Sequence, residues 1–396
     1  SPVIYINVLD PAKHKKDLPE QRAEVDEYQA TVKMEGILKK GLTVKAGEVT
    51  LEENTDYTLA FDTDGYLVVT LVTSGRGASA SELTVSGKML DTDAVDKYDI
   101  IGAYDINTGK ETGMEVIRQI FPKLGMVPGI LLAPGWPHEP EVGIALCAKA
   151  ANINGVFRAV AFLDLDTEQA KKYTDVKEVK EKSGFTSELC YVLWPCFMVG
   201  ELIFSASAVA AARLAYLDAE NEDIPSKSPS NKQTPITGTC LADGTEIVLD
   251  QDQGTVVNSF GVATAINRNG FRPWGSYTGA WPASGDAKDV WINVRRMFIW
   301  QGNTFILTYF DKVDDNMNRA LIDNIVDSEN IRCAAYAPQH WAGASIEYLA
   351  KDNPATSILA GEMKFHQHIA PYTPAQTINN VLNYDIDALT AALTGE

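Results

Sequence analysis

The sequence NSFGVATAINRNGFRPWG at residues 258–275, followed by WINVRRMFIW at residues 291–300, decides how this chain is interpreted. The first part predicts two short strands joined by a turn at residues 267–270, because Asn-Gly between apolar runs tolerates the positive φ angles of a tight hairpin. The second part predicts an apolar helix with two adjacent arginines, Arg295 and Arg296. Neither part holds a nucleophile beside a base, a cluster of metal ligands or a phosphate-binding loop. This region is therefore predicted to serve packing, as in a structural building block.

The chain as a whole is long and acidic. Its 396 residues, 45% of them hydrophobic, are enough for two or three domains. The formal net charge of −19 makes nucleic acid an unexpected partner. No uncharged apolar run reaches the roughly 18 residues that span a bilayer, so membrane insertion is not expected. Five cysteines without a Cys-x-x-Cys pair indicate free thiols in a reducing compartment.

The order of predicted elements indicates an α+β/α/β multidomain protein. Residues 1–29 are predicted to be the first strand and a charged, helical connector of an α/β core. Residues 30–91 contain short β-rich runs separated by turn residues, which predicts a small inserted all-β domain, a sandwich or barrel. Residues 92–235 alternate strand, helix and strand, as in parallel βαβ units, and end in a Ser/Pro-rich loop. Residues 236–396 are predicted to form a C-terminal α+β domain.

Two pairs of residues, His138 with Glu139 and His366 with His368, have the chemistry of candidate sites. His138 and Glu139 follow a predicted strand where α/β enzymes often keep their sites, and they could form an acid–base pair. They also suit an ordinary helix entry, where the helix dipole favours a glutamate. His366 and His368 would share one face of a strand, but no third metal ligand is evident nearby. We therefore predict no catalytic residue, no cofactor and no metal site.

The C-terminal third of the sequence resembles the tail sheath proteins of contractile bacteriophages, prophages and phage-tail-like bacteriocins. The segments that carry the resemblance are GVATAINRNGFRPWG at residues 261–275, RRMF at residues 295–298 and NRALID at residues 318–323. The resemblance extends from about residue 206 to residue 386 and is weaker over the α/β part. The chain departs from the family's pattern at Tyr277, because it has Trp-Gly-Ser-Tyr-Thr where the family tends to have Trp-Gly-Asn/Ser-Arg-Thr.

The resemblance implies a structural function and not an enzyme. It implies subunits that assemble with copies of themselves as stacked hexameric rings around a tail tube, and that contract to drive the tube through a cell envelope. The implied partners are other copies in a helical sheath, the tail tube protein, and the baseplate and tail terminator proteins. The implied location is a virion tail that is assembled in the cytoplasm of a bacterial host.

Extended N- and C-terminal arms that lend strands to neighbouring subunits are a further implication of the resemblance. The candidate subunit interface comprises Arg295, Arg296, Thr377, Ile378, Val381, Leu382 and Tyr384, the last five within a predicted terminal strand over residues 377–386. The arginines alone leave two alternatives open, which are pairing within the protein and pairing between subunits. An N-terminal arm would precede Ser1, because the chain opens directly on a predicted strand without a start methionine. We expect a chain without this arm to stay monomeric or to form small oligomers.

Two other functions remain as alternatives at this point. An α/β hydrolase-like enzyme with an accessory β domain would need a nucleophile and base in a cleft, for which His138 and Glu139 are the local candidates. A surface-binding β protein is suggested by the β-rich residues 30–91. The free cysteines and the lack of a visible secretion signal argue against the second alternative.

Overall fold

The structure, a computed structural model, describes residues 2–394. These residues divide into two units, Pro2–Met126 and residues 127–394. Each unit contains its own hydrophobic core. Their internal organisation is described separately below.

The first unit is built on antiparallel strands. The strands are β1 (Lys15–Asp26), β2 (Gln29–Val32), β3 (Thr43–Ala46), β4 (Val49–Thr50), β5 (Tyr57–Phe61), β6 (Leu67–Leu71) and β7 (Glu82–Leu90). They form one seven-stranded sheet in the order β4-β3-β7-β1-β2-β6-β5. Alternate side chains of β6 and β7 are buried, since period-two alternation sends them to one face. Two short helices follow, α1 (Lys97–Ile101) and α2 (Ile120–Leu124), with 3-10 turns at Thr92–Ala94 and Gly113–Gln119.

The assignment of residues 1–29 to the α/β core is corrected by this sheet. The expected strand over residues 1–10 does not form in the described part, residues 2–10, and Ser1 lies outside the described residues. The expected helical connector is instead β1, which pairs with β7 and β2. The charged character of β1 concealed its strand period, because only Leu18 and Ala23 of its twelve residues are buried. Pro19 lies where the register with β7 shifts, so its missing N–H is tolerated.

The second unit contains a mainly parallel sheet and two smaller antiparallel ones. Its strands are β8 (Ile130–Leu132), β9 (Val160–Asp164), β10 (Cys190–Leu193), β11 (Cys196–Val199), β12 (Leu202–Phe204), β13 (Gly238–Cys240), β14 (Val262–Asn267), β15 (Phe271–Trp274), β16 (Trp341–Tyr348) and β17 (Phe365–Pro371). The largest sheet has the order β15-β14-β10-β9-β8 and is parallel except for β15. The other two sheets are β12-β11-β13 and β16-β17.

Most helices of the second unit pack around this sheet or beside the β16-β17 pair, whereas the last of them is exposed along its whole length. They are α3 (Pro140–Ala151), α4 (Val176–Ser183), α5 (Ala206–Ala219), α6 (Gln251–Ser259), α7 (Ala287–Val290), α8 (Ile292–Tyr309), α9 (Arg319–Ala335), α10 (Ala355–Leu359) and α11 (Ile386–Thr394), with 3-10 turns at Phe310–Lys312 and Ala350–Asp352. The βαβ unit predicted from the sequence is present as β8, α3 and β9. Helix α5 is rich in alanine, so it can approach the sheet closely, and its buried face joins the main core.

The hairpin predicted at residues 267–270 is confirmed. Strands β14 and β15 pair antiparallel from Thr264–Trp274 to Asn267–Phe271. Asn269 and Gly270 both have positive φ angles, 56° and 103°, as the Asn-Gly signal requires. The chain then turns at Gly275, whose φ is +133° and whose added Cβ would lie 2.9 Å from Cα of Ala263. A side chain at this position would collide with the neighbouring strand.

The predicted domain boundaries at residues 91/92 and 235/236 are also corrected. Residues 92–126 group with the first unit. Strand β14, assigned to a separate C-terminal domain, is hydrogen-bonded to β10 in the same parallel sheet as β8 and β9. The Ser/Pro-rich loop misled the prediction because it is anchored: Asn231 N donates to Pro273 O at 2.7 Å, and Gly275 N donates to Ser230 Oγ at 3.1 Å. Composition marks a loop but does not reveal what it packs against.

The predicted terminal strand over residues 377–386 does not form in this single chain. Residues 372–385 have no regular secondary structure, and α11 begins at Ile386. A strand needs a neighbour to accept and donate its backbone hydrogen bonds, and the described residues provide none there. The five cysteines are free thiols, as predicted. Among residues 2–394, no helix combines the length and the apolar character needed to cross a bilayer.

Candidate functional site

Arg296, near the start of α8, forms an ion pair inside the subunit. Its guanidinium donates to both carboxylate oxygens of Asp218, with Nη1 3.1 Å from Oδ1, and only 8% of Arg296 is exposed. Asp218 lies in the last turn of α5, where the negative end of the helix dipole disfavours a carboxylate. The arginine offsets this repulsion and ties α5 to α8.

Arg295 is likewise used within the chain. It is 6% exposed and pairs with Asp289 of α7. Of the two alternatives that the sequence left open, pairing within the protein is therefore the arrangement in this structure for both arginines. Removing one partner of such a pair leaves a buried charge uncompensated, at a cost of about 3–5 kcal/mol.

Glu329 of α9 is the centre of a buried polar cluster, which we call the Glu329 cluster: Gln301, Tyr309, Glu329, Arg332 and Gln367. Gln301 Nε2 and Gln367 Nε2 donate to Glu329 Oε1 at 2.6 and 2.8 Å. Arg332 Nε and Tyr309 Oη donate to Oε2 at 2.9 and 3.1 Å. Burial alone would raise the pKa of Glu329, but the hydrogen bonds and charge of Arg332, with the two amides, hold it below its usual value. The cluster locks α8, α9 and β17 together.

The sequence analysis missed Glu329, although a signal for it exists. The buried residues of α9 are Ile322, Ile325, Glu329 and Cys333. Their spacing of three and four residues places the glutamate on the apolar stripe. A charged residue within such a stripe indicates a buried, paired carboxylate. Its partners on α8 and β17 are distant in sequence and have no local signal.

The remaining interface candidates lie in what we call the C-terminal segment, residues 377–394, all of which are exposed. Ile378 and Leu382 are 88% and 87% exposed, and Val381 and Tyr384 are 78% and 77% exposed. Thr377 begins the segment. Among the described residues, none outside this segment forms a hydrogen bond with residues 377–384. The structure therefore places these five residues on an exposed stretch without regular secondary structure, whereas the two arginines are buried.

His138 and Glu139 stand at the entry to α3, as the ordinary helix-entry interpretation predicts. His138 is exposed and stacks on Trp136, with ring centroids 5.5 Å apart, and Glu139 is the residue that precedes the helix. The adjacent cavity is lined by Trp136 and Asp164 and has a volume of ≈ 20 Å³, which holds about one water molecule. A cavity of this size does not admit a hydrolase substrate.

Asp164 ends β9 and fixes the start of α5. Its carboxylate accepts hydrogen bonds from Ser207 N at 2.8 Å and from Ser207 Oγ at 2.6 Å. Burial raises the pKa of Asp164 to about 6, against the opposing effect of the bonds from Ser207. The carboxylate is thus occupied by a structural role at the helix N-terminus.

His366 and His368 of β17 each face a carboxylate instead of each other. His366 Nε2 lies 3.0 Å from Oδ2 of Asp352, and His368 Nε2 lies 3.2 Å from Oε1 of Glu347. Within residues 2–394, no group of three or more His, Cys, Asp or Glu side chains is placed to hold a metal ion.

Comparison with known proteins gives relatives with one common name. No protein-family model matches the sequence. The chain is 28% identical over 349 residues to the tail sheath protein of Burkholderia phage BcepMu, covering 83% of this chain and 70% of that protein. It is 25% identical to the tail sheath protein of Escherichia phage P2, covering 70% of this chain and 68% of that protein. A putative prophage major tail sheath protein of Pseudomonas aeruginosa is 28% identical, covering 56% of this chain and 54% of that protein. All three names denote a tail component and none denotes an enzyme, in agreement with the predictions of a non-enzymatic protein and a virion tail location.

The fold is also similar to that of solved contractile systems. The sheath complex of the extracellular contractile injection system PVC, in its contracted state, matches with a TM-score of 0.56 and 17% identity, over 70% of this chain and 76% of that one. The helical sheath of the anti-feeding prophage in its contracted state matches with a TM-score of 0.54 and 16% identity, over 76% and 78% of the two chains. The mixed α/β multidomain architecture is therefore shared with sheath structures. By its sequence relatives and by its fold, this chain is a relative of the tail sheath proteins of contractile tails.

Proposed function

We propose that this chain is a structural subunit of a contractile tail sheath, whose copies form stacked hexameric rings around a tail tube. The observation that carries the proposal is the C-terminal segment, whose apolar side chains are exposed and whose residues 377–384 form no hydrogen bond with the rest of the described chain. The names of the sequence relatives and the fold similarity support the sheath assignment. The segment explains how one copy would join the next.

The C-terminal segment has the chemistry of a strand that is completed by another subunit. Its exposed apolar residues are Ile378, Val381, Leu382, Tyr384, Ile386, Leu389 and Leu393. Burying one aliphatic side chain of this size contributes about 1.5–3 kcal/mol. Main-chain hydrogen bonds to the edge of a neighbouring sheet would add affinity, as in strand augmentation. Residues 377–384 are thereby proposed as the arm that connects neighbouring copies.

We infer that the sheath surrounds the tail tube protein and that the baseplate and terminator proteins bind at its two ends. Contraction would repack the interfaces between subunits while the arms keep the lattice connected. Energy differences on the order of a few kcal/mol per subunit, multiplied over many subunits, would suffice to drive the tube through a cell envelope.

The test is electron microscopy of the protein, produced with any residues that precede Ser1 in its gene. We expect hollow striated cylinders. Replacing Ile378, Val381, Leu382 and Tyr384 together by Ser should abolish the cylinders and leave folded single subunits. The matched control replaces Asn379, Asn380 and Asn383 by Ser, which keeps the apolar residues, and it should still assemble.

Two outcomes would contradict this proposal. Absence of cylinders from the unaltered protein at high concentration would contradict the sheath function itself. Normal cylinders from the fourfold Ser variant would contradict the role of the C-terminal segment. Folding of each variant is checked by circular dichroism, so that loss of assembly is not confused with loss of structure.

A further inference from the structure

Tyr277, the residue at which the sequence departs from the sheath pattern, is held in an aromatic stack. Its ring lies between Trp281, at a centroid distance of 4.5 Å and an angle of 7°, and Trp291, at 4.8 Å and 21°. Backbone hydrogen bonds on either side of Tyr277 and Trp291 hold the two residues together: Thr278 N donates to Val290 O at 2.8 Å, and Ile292 N donates to Ser276 O at 2.9 Å. With both faces covered, the ring has a fixed orientation.

The fixed ring directs its hydroxyl at the residue that precedes the C-terminal segment. Tyr277 Oη donates to Oε1 of Gln376 at 2.7 Å, across 99 residues of sequence. Gln376 Nε2 in turn lies 3.4 Å from Ser276 Oγ, to which it donates. Among residues 2–394, this is the last hydrogen bond between the folded unit and the chain before the C-terminal segment begins.

A second anchor lies four residues earlier. The buried Asn293 donates from Nδ2 to Tyr372 O at 3.0 Å, and Tyr372 Oη donates to Pro338 O at 2.9 Å. The Asn293 anchor uses the first turn of α8, which also carries Arg295 and Arg296. Residues 373–375 are thus held at both ends, although they have no regular secondary structure.

We infer that Tyr277 is a positioning residue that sets the point from which the C-terminal segment leaves the folded unit. With the Tyr277–Gln376 bond in place, the segment pivots at Gln376. Without the bond, Gln376 keeps the longer 3.4 Å bond to Ser276, and whenever Gln376 is released the segment pivots at Tyr372, four residues earlier. A shorter and better-directed tether raises the effective concentration of an arm at its neighbour and lowers the entropy lost on docking. The consequence for assembly rests on the proposed sheath function, but the clamp itself is a property of the single chain.

The clamp is tested by limited proteolysis of single subunits with chymotrypsin, read by mass spectrometry. Cleavage after Tyr384 lies in the open segment and serves as the internal standard. Cleavage after Tyr372 requires the clamped residues to open. We expect Tyr277→Phe, which keeps the stack and removes the hydroxyl, to accelerate cleavage after Tyr372 by about 3- to 10-fold, the range of one net hydrogen bond.

Three comparisons separate the clamp from a general loss of structure. Gln376→Ala removes the Tyr277 bond and also the 3.4 Å bond to Ser276, so it should accelerate cleavage at least as much as Tyr277→Phe. The double variant should be no faster than Gln376→Ala alone, because the bond that the two changes share is already gone. Cleavage after Tyr384 and the thermal midpoint should stay unchanged. Tyr348→Phe, a control at a ring that packs on Phe365 of β17, should leave cleavage after Tyr372 unaffected.

Two results would overturn the inference: equal cleavage after Tyr372 in Tyr277→Phe and the unaltered chain, or accelerations that multiply in the double variant. In assembly, Tyr277→Phe should form cylinders about 3- to 10-fold more slowly at the same protein concentration. If the fourfold Ser variant still assembled, the arm would fail as a proposal while the proteolysis result kept its meaning. If Tyr277→Phe assembled at the normal rate with an accelerated cleavage, the clamp would stand and its role in assembly would be overturned.

Discussion

The Glu329 cluster and the C-terminal segment lie close in sequence, yet the cluster buries polar side chains whereas the segment exposes apolar ones. Within the cluster, the fully buried Glu329 accepts hydrogen bonds from all four of the other residues, which lie on two helices and one strand. Gln367 belongs to that cluster, and only ten residues later the chain becomes an exposed segment with apolar side chains. One region is closed within the subunit, and we propose that the other is completed by a second molecule. This contrast is typical of a building block whose folded body is self-sufficient and whose connection is not.

The largest effect is expected from a substitution at the centre of the Glu329 cluster. Glu329→Ala removes the acceptor of four donors and leaves Arg332 without its carboxylate. We expect a loss of about 3–5 kcal/mol in the free energy of unfolding, because a buried charge loses its partner. Denaturant titration followed by circular dichroism measures this loss.

The control for this change is Glu347→Gln on β16. Glu347 is half exposed and faces only His368, so the expected loss is below about 1 kcal/mol. Equal losses from the two variants would show that the Glu329 cluster stabilises the subunit no more than an exposed ion pair does.

Substitutions of the Arg296–Asp218 pair separate the effect of an unpaired buried charge from the effect of lost packing. Arg296→Met should destabilise the fold by about 3 kcal/mol, the lower end of the range for a broken buried pair, because the orphaned carboxylate of Asp218 keeps its charge at an unfavourable helix end but is 14% exposed. The double variant Arg296→Met with Asp218→Leu should recover much of this loss, since the orphaned charge is gone. A double variant less stable than Arg296→Met would contradict this account. Lys182→Met, which breaks an exposed pair with Glu178, is the matched surface control.

The same contrast explains what the sequence could predict. Local turn chemistry at Asn269 and Gly270 identified the hairpin, and apolar runs identified the strands of the βαβ unit. The alternation of apolar residues over 377–386 predicted a strand, but strand formation also needs a hydrogen-bonding partner, which no other part of residues 2–394 provides there. Strand β1 was missed for the opposite reason, because its partners are present while its side chains are mostly charged and exposed.

Long-range polar contacts were beyond sequence reasoning. Tyr277 meets Gln376 across 99 residues, and Gln367 meets Glu329 across 38. No local periodicity encodes which helix or loop approaches another after folding. The C-terminal segment therefore stays a predicted interface on the strength of its pattern, whereas Arg295 and Arg296, which their charge made candidates, are paired inside the subunit.

A smaller effect is expected from pH at Asp164 in the closed body of the second unit. Its folded pKa of about 6 lies above the ordinary value of 3.8, so the folded state binds the proton more tightly than the unfolded state. The unaltered chain should therefore gain about 1 kcal/mol of stability relative to Asp164→Asn when the pH falls from 7 to 5. Denaturant titrations of both proteins at the two pH values measure this difference. A relative loss of stability over the same range would contradict the raised pKa.

The smallest effect on stability is expected from substitutions in the exposed C-terminal segment. The fourfold Ser variant of Ile378, Val381, Leu382 and Tyr384, which should abolish assembly, should change the free energy of unfolding of a single subunit by less than about 0.5 kcal/mol. These side chains are 77–88% exposed, so their removal takes little packing away from the folded unit. Denaturant titration of single subunits at low protein concentration measures the change, with the Asn-to-Ser variant of the same segment as the control. A loss of 2 kcal/mol or more, on the scale of burying one such side chain, would mean that the segment folds back onto its own subunit in solution. In that case the C-terminal segment would have to be released before it could join a neighbour. Both regions would then be packed within the subunit.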